Sequence, residues 1–170
     1  MRTPLDIVHE RVSAAIGTRE HRDLGSVRPD EAVAFARACA EDDPRYLEPD
    51  RPDFAVHPMY VPSLLRGPSG ARDEDYRADG MFADEVPGTS GLDVRLMAGG
   101  QDVRLMAGGQ DVDFHRPTPL GERIGADRVV DRIEWKGRGD ARFLLITVVK
   151  TYRAAAVGVL ATVTERFIVR

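Results

Sequence analysis

The run Ala40-Glu41-Asp42-Asp43-Pro44-Arg45-Tyr46 gathers groups that can handle protons: three carboxylates and then a phenol, behind a helix-forming stretch. Val56-His57-Pro58-Met59 follows and adds an imidazole. A carboxylate and an imidazole brought together can hold one water and move protons at a carbon skeleton, the work of a general acid and base. Each of these residues also has a plainer reading. Glu41, Asp42 and Asp43 suit a solvated helix end, and Asp43-Pro44 is a good turn. Tyr46 is more often a packing aromatic than an acid, because an unperturbed phenol titrates at about 10. His57 is able to donate a hydrogen bond in such a site, or to be structural.

The elements that must position these groups follow from pattern. Thr3 caps a first helix that has Pro4 at its first position and Asp6 in its first turn, with Leu5, Val8, Val12 and Ala15-Ile16 at helical spacing and Gly17 as its stop. A second helix begins at Pro29-Asp30-Glu31, buries Ala32, Phe35, Ala36 and Cys39, and runs into the acidic loop at Glu41. A weak helix is expected around Met59, Tyr60, Val61, Leu64 and Leu65, because Pro58 and Pro62 oppose it. Residues 1–26 read as a helical N-terminal extension, and 66–91 as an exposed excursion rich in Gly, Pro and Asp.

The second half changes character. Strands are expected over Gln110–His115, Arg123–Trp135, Ala141–Arg153 and Val157–Val169, with turns at Lys136–Asp140 and Ala154–Ala156. In the last strand Val159, Ala161, Val163 and Phe167 alternate with Thr162, Thr164 and Arg166. Helices first and an antiparallel meander last predict an α+β domain over 1–170. Asp93–Gln101 recurs unchanged as Asp102–Gln110, so 93–110 is a tandem nine-residue duplication. Two short copies do not make a solenoid; a lengthened strand or bulging loop is the plain reading, and a reshaped pocket entrance or interface the functional one.

The chain has 170 residues, enough for one substantial core. Its net charge of −4 disfavours nucleic acid or an anionic membrane as partner. No stretch approaches a membrane span, and the N-terminus has no apolar signal region. A lone cysteine forms no internal disulfide and suits the cytoplasm. No metal site or cofactor is expected, since His9, His21, His57 and His115 lack ligand spacing and no Gly-rich phosphate loop precedes a helix. His9 should be solvated on an outer helix. Trp135, beside the basic turn at Lys136, reads as a cap on the sheet, an interface residue or an adenine-stacking one.

The two site segments resemble those of the MaoC-like (R)-specific enoyl-thioester hydratases and dehydratases, most closely the fatty-acid-synthase-like dehydratase subgroup. In that family a helix runs into Asp-x-Asn-Pro-x-His and the next helix opens with His-Gly-Met. Here Glu41 stands at the Asp, Asp43 at the Asn, Tyr46 at the His and Pro58 at the Gly. Phe114-His115-Arg116-Pro117 with Gly121-Glu122, Tyr152 and Val159-Leu160-Ala161 are similar to the strands beyond. The resemblance covers about Val27 to Arg170 and implies a hot-dog fold, a curved antiparallel sheet wrapped around a central helix. It also implies an acyl-CoA or acyl-carrier-protein thioester as substrate, and assembly as a homodimer or as a heterodimer with a second hot-dog protein.

The family's hydro-lyase chemistry needs a carboxylate, an imidazole and an N–H donor for the thioester oxygen. Against that pattern Glu41 is one methylene too long, Tyr46 replaces the imidazole and Pro58 has no N–H. The catalytic candidates are Glu41, Tyr46 and His57; Asp43, Pro58, Met59, Ser63 and His115 are candidates for binding substrate. The expected function is that of a hydratase or dehydratase subunit with an altered site, dependent on a partner with intact Asp and His. A hot-dog homodimer with repurposed ligand binding or lyase activity is the alternative. A thioesterase ranks third, because Pro58–Arg66 holds no carboxylate.

Overall fold

The computed structural model describes residues 3–64, 72–76, 86 and 103–170. Helix α1 (Pro4–Ala14) starts with the expected cap: Asp6 N donates to Thr3 Oγ1, and Thr3 N donates back to the Asp6 carboxylate at 2.8 Å. Gly17, at φ +78°, turns the chain into strand β1 (Arg19–Ser26). The stretch read as a helical extension is therefore helical only in its first half. Arg19–Ser26 carries one buried apolar side chain, Leu24, and its inward positions are otherwise charged, so it offers no apolar alternation.

Helix α2 (Pro29–Ala38) is followed by the single turns α3 (Pro44–Leu47) and α4 (Tyr60–Ser63). Strands β2 (Leu105–Phe114), β3 (Arg123–Lys136), β4 (Phe143–Ala154) and β5 (Gly158–Val169) complete the set. The five strands pair antiparallel throughout, in the order β1-β3-β4-β5-β2. The β3-β4-β5 meander is the middle of this sheet, and β1 and β2 are its edges. Strand β2 begins at Leu105 rather than Gln110, so most of the second nonamer is strand. The first nonamer and most of 66–91 lie outside the described residues.

Two apolar clusters pack on one face of the sheet. Val8 and Val12 of α1 meet Val130, Leu144, Ile146, Val148, Phe167 and Val169. Ala32 of α2, with Val56, Tyr60 and Val61, meets Ile124, Tyr152, Ala154, Leu160 and Val163. Along β4 the buried face continues from Val148 through Lys150 to Tyr152. There Lys150 Nζ lies 2.7 Å from Glu165 Oε2, and Arg128 is paired with Glu20, so a charged band separates the two clusters.

Two expectations are corrected. Cys39 is exposed, because α2 stops at Ala38 and Cys39 is already its cap. His9 is not free in solvent: its ring stacks on Trp135 with centroids 5.6 Å apart and planes at 14°. Arg142 Cζ sits 4.0 Å from the centre of the same indole, so Trp135 is engaged by two of the chain's own side chains. Trp135 also borders a cavity of about 390 Å³ between the start of α1 and the β3–β4 turn.

Candidate functional site

The acidic loop is set by how α2 ends. Ala40 takes a left-handed conformation, φ +56°. Its N–H donates to Arg37 O at 3.0 Å, and Glu41 N donates to Ala36 O at 3.0 Å. These are the paired bonds of a Schellman motif, here with alanine where glycine is usual. The turn delivers Glu41 to the loop's inner side, where Oε1 accepts from Asp42 N at 3.0 Å and Asp43 N at 3.1 Å.

The other carboxylate oxygen, Oε2, lies 3.5 Å from His57 Nε2. Met59 N donates to His57 Nδ1 at 3.2 Å, so the ring carries its proton on Nε2, facing Glu41. The imidazole is packed between Tyr46 and Phe35, with centroids at 5.3 and 5.6 Å. Glu41, Tyr46 and His57, the three catalytic candidates, therefore stand together.

Asp43 caps α3, accepting from Arg45 N at 2.9 Å, and its second oxygen pairs with the Arg45 guanidinium at 3.3 Å. Arg45 Nη2 donates to Tyr46 Oη at 2.9 Å. Pro58 has no N–H to offer, and the next amide, Met59 N, is already engaged by His57. Ser63 Oγ donates to Tyr60 O at 2.6 Å across its own helical turn.

A cavity of about 320 Å³ opens beside this loop. Arg45, Tyr46, Val56 and Pro58 form one wall; Phe114, His115, Arg116, Leu160 and Ala161 form the other, and Val61 also lines it. The second wall depends on a bulge. Tyr152 pairs with Ala161 but Arg153 pairs with Val159, which leaves Leu160 as the extra residue. Its carbonyl accepts from His115 N at 2.8 Å and Arg116 N at 3.2 Å, which docks the chain beyond β2 over β5. His115 Nε2 is 3.0 Å from Thr162 Oγ1, and Arg116 Nη1 donates to Val157 O at 2.8 Å. Gly158 has φ +91°, a backbone conformation that strains any residue with a Cβ, and a Cβ there would also push on Arg116 Nη1.

Of the eight candidates, Tyr46, Pro58 and His115 line the cavity. Glu41, Asp43, His57, Met59 and Ser63 do not. From sequence, Arg45 and Leu160 had no assigned role, and Arg116 entered only as part of the Phe114-His115-Arg116-Pro117 resemblance. Arg45 carried a signal, its place beside Tyr46 on one helical turn; the bulge at Leu160 had none. Among the described residues no group of His, Cys, Asp and Glu is placed to hold a metal ion, and no helix is long and apolar enough to cross a membrane.

No family model matches the chain, and no curated protein does. Solved structures do. The ChsH1-ChsH2 complex from Mycobacterium tuberculosis superimposes at TM-score 0.67 and 14% identity, covering 95% of this chain and 90% of that one. The HadBC (3R-hydroxyacyl-ACP dehydratase) complex of the same organism gives 0.54 and 12%, over 91% and 96% of the two chains. The R-hydratase PhaJ1 from Pseudomonas aeruginosa gives 0.52 and 13%, over 89% and 79%. The chain has the fold of these hot-dog dehydratases and hydratases, a five-stranded curved antiparallel sheet with helices on it. At such identities the likeness is one of architecture, and chemistry has to be argued from the site.

Proposed function

We propose that this chain is one subunit of an enoyl-thioester hydratase or 3-hydroxyacyl-thioester dehydratase, with an acyl-binding cavity retained and its proton-transfer groups withdrawn. One observation carries the reading: the cavity is walled by Tyr46 and Pro58, whereas the carboxylate of Glu41 and the imidazole of His57 lie outside its lining, 3.5 Å from each other and each hydrogen-bonded to backbone N–H groups. The catalytic Asp and His come, on this reading, from a second hot-dog chain.

Two features support assembly. The neighbours ChsH1-ChsH2 and HadBC are complexes by name. Strand β2 is a ten-residue sheet edge that exposes Met106 at 41% and Phe114 at 49%, and such an edge invites another strand. An unpaired, exposed Cys39 fits a reducing compartment such as the cytoplasm.

The test is hydration of crotonyl-CoA by the purified chain and by the chain co-expressed with a hot-dog partner carrying intact Asp and His. The expected result is turnover only in the mixture. Robust turnover by the single chain, abolished by Glu41→Gln with folding unchanged, would instead favour the second reading, a repurposed lyase using the Glu41–His57 pair.

A further inference from the structure

The polar side chains lining the cavity have a property in common. Arg45, Tyr46, His115, Arg116 and Thr118 all carry hydrogen-bond donors, and no carboxylate is among them. Such a lining, on otherwise apolar walls, favours a ligand that presents oxygen lone pairs on an apolar body.

Tyr46 is set apart from the others by its neighbour. Because Arg45 Nη2 donates to Tyr46 Oη at 2.9 Å, the phenol oxygen already serves as an acceptor and its own proton points elsewhere. A hydrogen bond received from a cation polarises an O–H and strengthens it as a donor. Arg45 is itself held by Asp43 at 3.3 Å, and its guanidinium carbon lies 4.7 Å from the centre of the Tyr46 ring. Two of the other lining side chains are already engaged: His115 Nε2 lies 3.0 Å from Thr162 Oγ1, and Arg116 Nη1 donates to Val157 O.

We infer that Tyr46 Oη, backed by Arg45, receives the head oxygen of an acyl ligand, either a thioester carbonyl or a carboxylate, and so replaces the amide donor that Pro58 lacks. The inference rests on the acyl-thioester reading of this cavity and supplies its polar anchor. Tyr46 binds through its proton without giving it up.

The experiment is calorimetric titration of the full chain with crotonyl-CoA, free coenzyme A and crotonate. It is joined to infrared difference spectra of crotonyl-CoA labelled with carbon-13 at the carbonyl. Binding of crotonyl-CoA above coenzyme A alone, with a lowered carbonyl frequency, assigns the head as a thioester; binding of crotonate instead assigns a carboxylate. Tyr46→Phe should weaken the ligand that binds by about tenfold and return its band to the solution frequency. Arg45→Met, which keeps the phenol, should move the band part of the way. Binding of neither ligand, or a Tyr46→Phe protein with unchanged affinity and unchanged band, overturns the inference. The readout needs neither partner nor turnover. An inactive two-chain assembly with Tyr46-dependent binding therefore sinks only the hydratase reading, and an active assembly indifferent to Tyr46→Phe sinks only this one.

Discussion

His57 Nε2 lies 3.5 Å from Glu41 Oε2, with its proton directed at the carboxylate, and neither side chain lines the neighbouring cavity. The pair closes the acidic loop onto the segment that begins α4. Glu41 contributes more than its contact with His57, since its other oxygen accepts two backbone N–H groups. Glu41→Ala should therefore destabilise the fold by about 1 kcal/mol, the net worth of such bonds where water can partly replace them. Glu41→Gln, which keeps an acceptor, should be milder. In an active two-chain assembly neither change should lower kcat by more than about threefold. Urea denaturation and steady-state kinetics on the same preparations separate the two effects.

Ala40 has a left-handed backbone at the end of α2, a conformation disfavoured for any residue with a Cβ. Ala40→Gly should raise stability by about 0.5–1 kcal/mol, less whatever the unfolded chain gains from added freedom. The measurement is the denaturation midpoint at unchanged slope. A midpoint that falls would mean that the turn is not the one described.

The meander was legible because β3, β4 and β5 bury apolar residues at alternate positions, and α1 because Thr3, Pro4 and Asp6 spell a helix start. β1 was not, since Glu20 and Arg22 point inward where an apolar pattern would be expected and Glu20 is compensated by Arg128, far away in sequence. Cys39 was misread because α2 ends one residue before it: periodicity says which face a residue takes, and says nothing of where the helix yields to a left-handed turn. At the site, Glu41, Tyr46 and His57, singled out together from the sequence, stand next to one another. Which of them would face the cavity depends on Pro58, on the hydrogen bond from Met59 N and on the bulge at Leu160, all of which are tertiary.

The charged band between the two cores gives a sharper stability prediction. Lys150 and Glu165 side chains are 11% and 14% exposed and lie 2.7 Å apart. That approach falls outside good hydrogen-bond geometry for Glu165 Oε2, so charge is the main compensation. Gln110 Nε2, at 3.3 Å, serves only Oε1. Lys150→Met strands a buried carboxylate and should cost about 3–5 kcal/mol, whereas Lys150→Met with Glu165→Leu should be close to neutral. A double-mutant cycle measures the difference. Additive losses would show that the two groups act independently.

Tyr152 sets a pH limit on the fold. Burial, and then the charge of Glu165, push its phenol well above the ordinary tyrosine range, and its hydroxyl donates to Pro62 O at 3.3 Å. In the unfolded chain the same group loses its proton at about pH 10. Above that pH the native state keeps a proton that the unfolded state has given up, so stability is intact below about pH 10 and declines as pH rises further. Tyr60, raised mainly by burial and next by Glu31, adds to the same slope. Tyr152→Phe should cost about 1 kcal/mol at neutral pH through the lost hydrogen bond. It should also flatten the decline between about pH 10 and 11, leaving the share due to Tyr60. Chemical denaturation at several pH values checks both. A variant whose stability falls with pH as steeply as the parent's would show that Tyr152 ionises as freely in the folded chain as in the unfolded one.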